Sequence, residues 1–236
     1  MNYTRLAARC GTMIVAAGMP RSGSTWQYAM ALAALEDLGV QPEHTGYWDY
    51  AAHARMTPEA ADAYYAREYA AWSNLSADAV LLYKTHEYKP MMLSLCERNI
   101  VLTQHRCIED MMASANASWH LGSRQMLALL QDWAADYDSW RQHEVLDVNY
   151  DLLKVCPEDA ATLIGTYIAL GLGLSPKRAF EPTTREANPH LPSSPSALTA
   201  DAVAYLRRGF QSPPLPLAWC SRSRRRGDQG RRCGVS

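Results

Sequence analysis

A short apolar strand runs into a glycine turn and then directly into a helix near the start of this chain, and few folds accommodate that order. Residues 12–17 form a continuous apolar run, typical of a strand buried on both faces of a parallel sheet. The turn from Gly18 to Gly23 follows, and apolar residues then recur at helical spacing over residues 24–38, ahead of Gly39. Such a turn points backbone N–H groups out of a helix N-terminus, so it is expected to bind a phosphate or sulfate.

Strand and helix patterns alternate along the rest of the chain. Apolar strands are predicted at residues 80–83, 99–103 and 144–148, and helices at residues 57–74, 108–119, 123–140, 157–170 and 199–208. This alternation predicts an α/β fold, a three-layer sandwich with a central parallel sheet and a P-loop-like phosphate-binding turn after strand one. We expect one domain over residues 1–219 and an arginine-rich, disordered C-terminal tail over residues 220–236.

The charge distribution argues against a nucleic-acid partner. The formal net charge is −1, yet six arginines fall within the last fifteen residues against a single Asp228. The body of the chain is therefore mildly acidic, whereas binding to phosphate backbones needs a basic face spread over the fold.

Membrane and redox features indicate a cytoplasmic protein. No apolar stretch approaches the ~20 residues needed to span a bilayer, and no signal-peptide pattern precedes Gly11. The six cysteines are scattered without a Cys-x-x-Cys pair, which predicts free thiols, a reduced compartment and no zinc site.

The turn lacks the residue that defines a nucleoside-triphosphate loop. Gly18 and Gly23 have the spacing of such a loop, but Ser24 stands where the lysine is expected. A kinase interpretation therefore fails at its most important position, and Arg21 within the turn supplies the positive charge instead.

The run from Pro20 to Trp26, Pro-Arg-Ser-Gly-Ser-Thr-Trp, resembles the 5′-phosphosulfate loop of the sulfotransferases that use 3′-phosphoadenosine 5′-phosphosulfate (PAPS). The resemblance implies that the 5′-phosphate is held by Ser22, Gly23, Ser24 and Thr25. It also implies that Trp26 lies against the adenine.

Lys84, Thr85 and His86 directly follow a predicted strand, at the carboxyl end where ligands of open α/β sheets bind. They resemble the Lys-Thr-His run of the same family, which implies that His86 takes the proton from the acceptor hydroxyl. A neutral imidazole suits that task near neutral pH.

Arg106 and Ser114 match the family's 3′-phosphate site, in the pattern Arg-x-x-x-Asp-x-x-x-Ser. Asp110 and Ser114 are four residues apart and would share a helix face. Further along, Tyr150 resembles the tyrosine that the family places in the adenine pocket. The family's last cofactor element is matched only by Arg207, Arg208 and Gly209, without the Gly-Asp-Trp that should follow.

The resemblance implies in-line sulfuryl transfer, with adenosine 3′,5′-bisphosphate (PAP) as the product and no metal ion. Arg21 and Lys84 would offset the negative charge of the transferred group. Three side chains are candidates for the base: His86, the adjacent Glu87 and His105. Glu87 is a candidate because some carbohydrate and protein-tyrosine sulfotransferases, whose loop this one resembles, use a glutamate as the base.

Two other classes remain open at this stage. One is a nucleoside or nucleotide kinase-like P-loop protein, and the other is a non-catalytic nucleotide-binding protein whose C-terminal pocket has decayed. The acceptor is expected to be a small molecule or carbohydrate bound by variable loops, with Tyr47, Trp48 and Tyr50 as lining candidates. The sequence gives no indication of the oligomeric state.

Overall fold

The chain folds around a five-stranded parallel sheet. The computed structural model describes residues 10–48, 72, 74–119, 123–176 and 180. Its strands are β1 (Cys10–Gly18), β2 (His44–Trp48), β3 (Val80–Thr85), β4 (Cys96–His105) and β5 (Val145–Asn149). They are hydrogen-bonded in the order β2-β3-β1-β4-β5, and every neighbouring pair is parallel. The predicted α/β class is confirmed.

Helices lie between and after these strands. They are α1 (Ser24–Asp37), α2 (Pro90–Leu93), α3 (Ile108–Trp119), α4 (Ser123–Trp140), α5 (Tyr150–Val155) and α6 (Pro157–Gly171). The sequence predicted α1, α3, α4 and α6 nearly to their ends but did not predict β2, α2 or α5. The predicted helix at 57–74 lies outside the described residues except for Trp72 and Asn74, and the helix at 199–208 and the tail at 220–236 lie wholly outside them.

Both faces of the sheet are covered by apolar side chains. Along β1, Ile14 and Ala16 pack into a core shared with α1 and α6, whereas Met13 and Val15 pack into a second core with Trp140 of α4. All nine residues of β1 are buried. Burial on both sides explains why this strand appears in the sequence as an uninterrupted apolar run instead of an alternating one.

The strand order determines which segments meet at the carboxyl edge. β1 lies in the middle of the sheet, with β3 on one side and β4 on the other. In an open parallel sheet the segments that leave neighbouring strands at this edge form a common crevice. The turn after β1 is therefore flanked by Lys84 to His86 on one side and by Arg106 on the other.

Cys10 and Cys96 form a disulfide at the amino ends of the strands, opposite the crevice. The prediction that the cysteines are free was therefore wrong for this pair. They are register partners at the start of β1 and β4, with their Cα atoms 4.5 Å apart. Parallel pairing thus brings together two cysteines that are 86 residues apart in the chain.

We expect this bond to contribute to stability. Replacing Cys10 and Cys96 together with alanine should lower the free energy of unfolding by about 2–4 kcal/mol, because the crosslink closes a long loop in the unfolded chain. Urea unfolding checks this, with Cys107→Ala as the control, because the Cys107 thiol donates a hydrogen bond to Glu109 and lies outside the disulfide. An unchanged free energy in the double variant would contradict the crosslink.

No helix in the described part of the chain is long and apolar enough to cross a membrane. Within the same residues, no group of three or more His, Cys, Asp or Glu side chains could hold a metal ion.

Candidate active site

The turn between β1 and α1 is closed by its own backbone. The Ser22 amide donates to the Met19 carbonyl at 3.1 Å, and the Ser22 hydroxyl donates to the same oxygen at 2.6 Å. Ser22 is fully buried, so its hydroxyl holds the turn together. The amides of Trp26 and Gln27 donate to the Gly23 carbonyl, and α1 therefore starts with the N–H groups of Ser24 and Thr25 ahead of the first helical hydrogen bonds.

Two residues of the turn adopt left-handed backbone conformations. Gly23, the N-cap of α1, has φ 99°, and Arg21 has φ 66°. Arg21 is the one residue other than glycine with positive φ among the described residues. A non-glycine residue held in this region costs about 1–3 kcal/mol and is found mainly at functional sites.

Gly23 is also required by its neighbour. A β-carbon at this position would stand 2.5 Å from Cδ2 of Tyr150, whose ring packs against the turn. Gly39 has a similar φ of 71° but open space around it. A substitution at Gly39 therefore measures the cost of the left-handed backbone alone, without a contact to Tyr150.

Gly23→Ala should therefore destabilise the protein more than Gly39→Ala does. We expect Gly39→Ala to cost about 1–2 kcal/mol for the left-handed backbone. Gly23→Ala should cost a further ~1–3 kcal/mol, because the Tyr150 ring must move. Thermal or urea unfolding measures both, and equal losses would show that the Tyr150 contact is unimportant.

Arg21, Ser114 and Arg106 converge beside the turn. Nε of Arg21 donates to the Ser114 hydroxyl at 3.0 Å, and Nη1 of Arg106 donates to the Arg21 carbonyl at 3.4 Å. Burial, followed by the positive charge of Arg106, lowers the pKa of Arg21. Two guanidinium groups thus stand next to each other and to a hydroxyl, an arrangement that favours an anion.

Tyr150 connects Arg106 to the turn. Cζ of Arg106 lies 4.2 Å from the centre of the Tyr150 ring, a cation–π contact. Trp26 meets the same ring edge-on, with the ring centres 6.4 Å apart. Because Trp26 is only 5% exposed, most of its surface belongs to the core shared by α1 and α6, and little is open for stacking.

Gln104 adds a buried amide that the sequence did not single out. It is the register partner of Gly18 and is fully buried, yet neither side-chain atom has a hydrogen-bond partner. Its Nε2 lies 3.7 Å from the point where a Gly23 β-carbon would stand, and Nε of Arg106 is likewise buried without a partner. Buried polar atoms are nearly always bonded, so these unpaired donors beside the turn fit a polar ligand.

On the other side of the turn, His86 bridges β1 and β3. Its Nδ1 lies 2.6 Å from the Gly18 carbonyl, and its Nε2 lies 2.9 Å from Nζ of Lys84. Burial, followed by the charge of Lys84, lowers the pKa of His86 well below its usual value, and the bond to Gly18 offsets only part of this. His86 is therefore neutral at physiological pH, as a general base must be.

Glu87 is bound by other partners. Its carboxylate forms an ion pair with Lys89 at 2.6 Å. Its carbonyl accepts from the Thr85 hydroxyl and the Trp140 indole, and its amide donates to the same Thr85 oxygen. These contacts fasten the segment after β3 to the sheet and to α4, and they engage the carboxylate that a base would need.

His105 faces a separate network under α4. Its Nδ1 lies 3.0 Å from Asp147, whose other oxygen accepts from the hydroxyls of Tyr137 and Thr103. Burial alone would raise the pKa of Asp147, but the bonds from His105, Tyr137 and Thr103 lower it below its usual value. The network links β4, β5 and α4, which favours a structural role for His105.

The remaining candidates are only partly described. Tyr47 lies on β2 beside Lys84, and Trp48 follows it, whereas Tyr50 lies outside the described residues. Arg207, Arg208 and Gly209 also lie outside them. Comparison with models of known protein families and with curated proteins finds no match to this chain. What the site does is therefore inferred from its residues.

Proposed function

We propose that this protein is a sulfotransferase that moves a sulfuryl group from PAPS to a hydroxyl or amine of an acceptor. One observation carries the proposal: Arg21, Arg106 and Ser114 meet at a lysine-free glycine turn. The bound donor would supply the sulfuryl group, and PAP would leave. The new bond forms between sulfur and the acceptor atom as the bond between sulfur and the bridging 5′-phosphate oxygen breaks.

The cluster of Arg21, Arg106 and Ser114 suits the 3′-phosphate. Two neighbouring guanidinium groups repel each other, and a dianion between them would remove that repulsion and accept several charge-assisted hydrogen bonds. The unpaired Nε of Arg106 supplies one of those donors. The residues present therefore fit a second phosphate group beside the turn.

The turn itself suits the 5′ side of the donor. The N–H groups of Ser24 and Thr25 open α1, where the helix dipole adds positive potential. A kinase would need a lysine at the position of Ser24 and a carboxylate for magnesium. Ser24 instead favours a donor whose reacting group carries no bridging metal ion.

Lys84 and His86 suit the transfer step. Nε2 of His86 would accept the proton that leaves the acceptor hydroxyl, since Nδ1 is committed to the Gly18 carbonyl. Lys84 would offset the negative charge on the equatorial oxygens in the transition state, whereas the Arg21 side chain is engaged by Ser114. The ion pair between Glu87 and Lys89 favours His86 over Glu87 as the base.

The acceptor is proposed to be a small molecule or carbohydrate. Tyr47 is 47% exposed at the carboxyl edge of β2, next to Lys84, and its ring offers an apolar face to such a molecule.

Calorimetry followed by a turnover assay tests the proposal. The protein should bind PAP and should not bind ATP with magnesium at comparable affinity. It should then transfer labelled sulfate from PAPS to a member of a panel of phenols, sugars and amines. Preference for ATP would favour a kinase-like protein, and binding of PAP without turnover across the panel would favour a non-catalytic binder.

The cytoplasmic location remains a proposal, and the disulfide weighs against it. Disulfides such as the one between Cys10 and Cys96 persist mainly in oxidising compartments. Counting the reactive thiols of the unfolded protein, purified without reductant, would settle which state the native protein carries.

A further inference from the structure

The tautomer of His86 follows from its contact with β1. A backbone carbonyl can only accept a hydrogen bond, so at 2.6 Å from the Gly18 oxygen Nδ1 must carry the proton. The imidazole is neutral, and its single lone pair therefore lies on Nε2. This is the only ring atom of His86 that could take a proton from an acceptor.

That lone pair is covered by Lys84. Nζ of Lys84 lies 2.9 Å from Nε2, and an ammonium can only donate, so it donates to the nitrogen that a base would use. Lys84 is 4% exposed, and its Nζ also lies 5.0 Å from the centre of the Tyr47 ring. The ammonium is thus held between His86 and an aromatic face on β2.

Charged and titratable groups near His86 come from two strands, β2 and β3, and from the segment that follows β3. They are the Lys84 ammonium of β3, the Tyr47 phenol of β2, whose pKa is raised by burial, and Glu87 with its partner Lys89. β1 contributes the Gly18 carbonyl. Lys84 is in direct contact with the ring.

We propose that Lys84 is a positioning residue for the base: it covers Nε2 of His86 until an anion bound at the turn after β1 attracts its ammonium. This rests on the proposed function. An anion attracts an ammonium more strongly than a neutral imidazole or an aromatic ring does. The base is then uncovered only in the donor complex, and the acceptor keeps its proton until a donor is present.

Nuclear magnetic resonance of the protein with ¹⁵N-labelled histidine tests the covering without any ligand. Lys84→Met should increase the proton affinity of His86 about tenfold, because a positive charge and a hydrogen bond to the neutral form are both lost. Lys154→Met, on the exposed face of α5, is the matched control and should leave His86 unchanged. An unchanged His86 in Lys84→Met would overturn the covering.

A second pair of variants tests the same contact if Lys84→Met does not fold. Tyr47→Phe keeps the aromatic face and should leave the titration of His86 as it is. Tyr47→Leu removes that face and should shift the titration in the same direction as Lys84→Met. Equal titrations in the two Tyr47 variants would contradict the placement of Lys84 between Tyr47 and His86.

Saturating PAP tests the uncovering. In the wild-type protein it should increase the proton affinity of His86 by a larger factor than in Lys84→Met, because only the wild type has an ammonium to withdraw. Equal increases would overturn the uncovering. Failure of PAP to bind would overturn the proposed function and the withdrawal of Lys84 from His86 with it. The ligand-free comparison of wild type and Lys84→Met would still decide whether Lys84 covers Nε2 of His86.

Discussion

His86→Ala is expected to lower the rate of sulfuryl transfer by about 10²–10⁴-fold, the contribution typical of a positioned general base. The dissociation constant for PAP should change by less than about threefold, because the contact of His86 with the turn is to a backbone atom, the Gly18 carbonyl. Steady-state transfer assays and calorimetry on the same preparations measure the two effects.

Two further variants identify the base. His44→Ala removes a histidine from the amino end of β2, far from the carboxyl edge, and should leave transfer unchanged. Glu87→Gln should have a small effect, since Lys89 already engages that carboxylate. If Glu87→Gln caused the large loss while His86→Ala did not, the role of base would belong to Glu87.

Arg106→Ala should weaken PAP far more than adenosine 5′-phosphate, which lacks the 3′-phosphate. Losing a charge-assisted hydrogen bond costs about 2–3 kcal/mol, which corresponds to roughly 30–150-fold in affinity. The affinity for adenosine 5′-phosphate should fall by less than about threefold in the same variant. Calorimetry with both nucleotides provides the comparison.

The control for Arg106→Ala lies on the same strand. Arg98 sits near the amino end of β4 and donates to the Leu172 carbonyl, so Arg98→Ala should affect neither nucleotide. Equal losses of the two nucleotides in Arg106→Ala would remove the 3′-phosphate assignment. The cationic cluster would then serve the turn alone.

The sheet was largely predictable because its inner strands are apolar on both faces. β1, most of β3 and residues 100–104 of β4 are buried as uninterrupted runs, and the helices α3 and α4 have a regular apolar stripe. β2 was missed because it is an edge strand whose residues His44 to Tyr47 alternate between half-buried and exposed. Without a buried run on either face, its sequence resembles that of a loop.

The sequence indicated most residues of the candidate site but not how they contact one another. Arg21 and Ser114 are 93 residues apart, and only the neighbouring positions of β1 and β4 bring them together. The bond between His86 and the Gly18 carbonyl, which fixes the tautomer, spans 68 residues and involves a backbone atom with no sequence signature. Gln104 carries no motif, and only its burial without partners draws attention to it.

The disulfide escaped prediction for a similar reason. Spacing along the chain does not reveal pairing, and Cys10 and Cys96 become neighbours only once β1 and β4 are aligned.

The same disulfide fixes β1 and β4 relative to each other at the end farthest from the crevice. β1 leads to the turn and β4 leads to Arg106, so a slip of two residues between them would shift the turn relative to Arg106 by about 7 Å. A millimolar thiol in an assay buffer would thus act on the relative position of the turn and Arg106 without ever entering the crevice. Preparations handled with and without reductant are different samples and need to be measured as such.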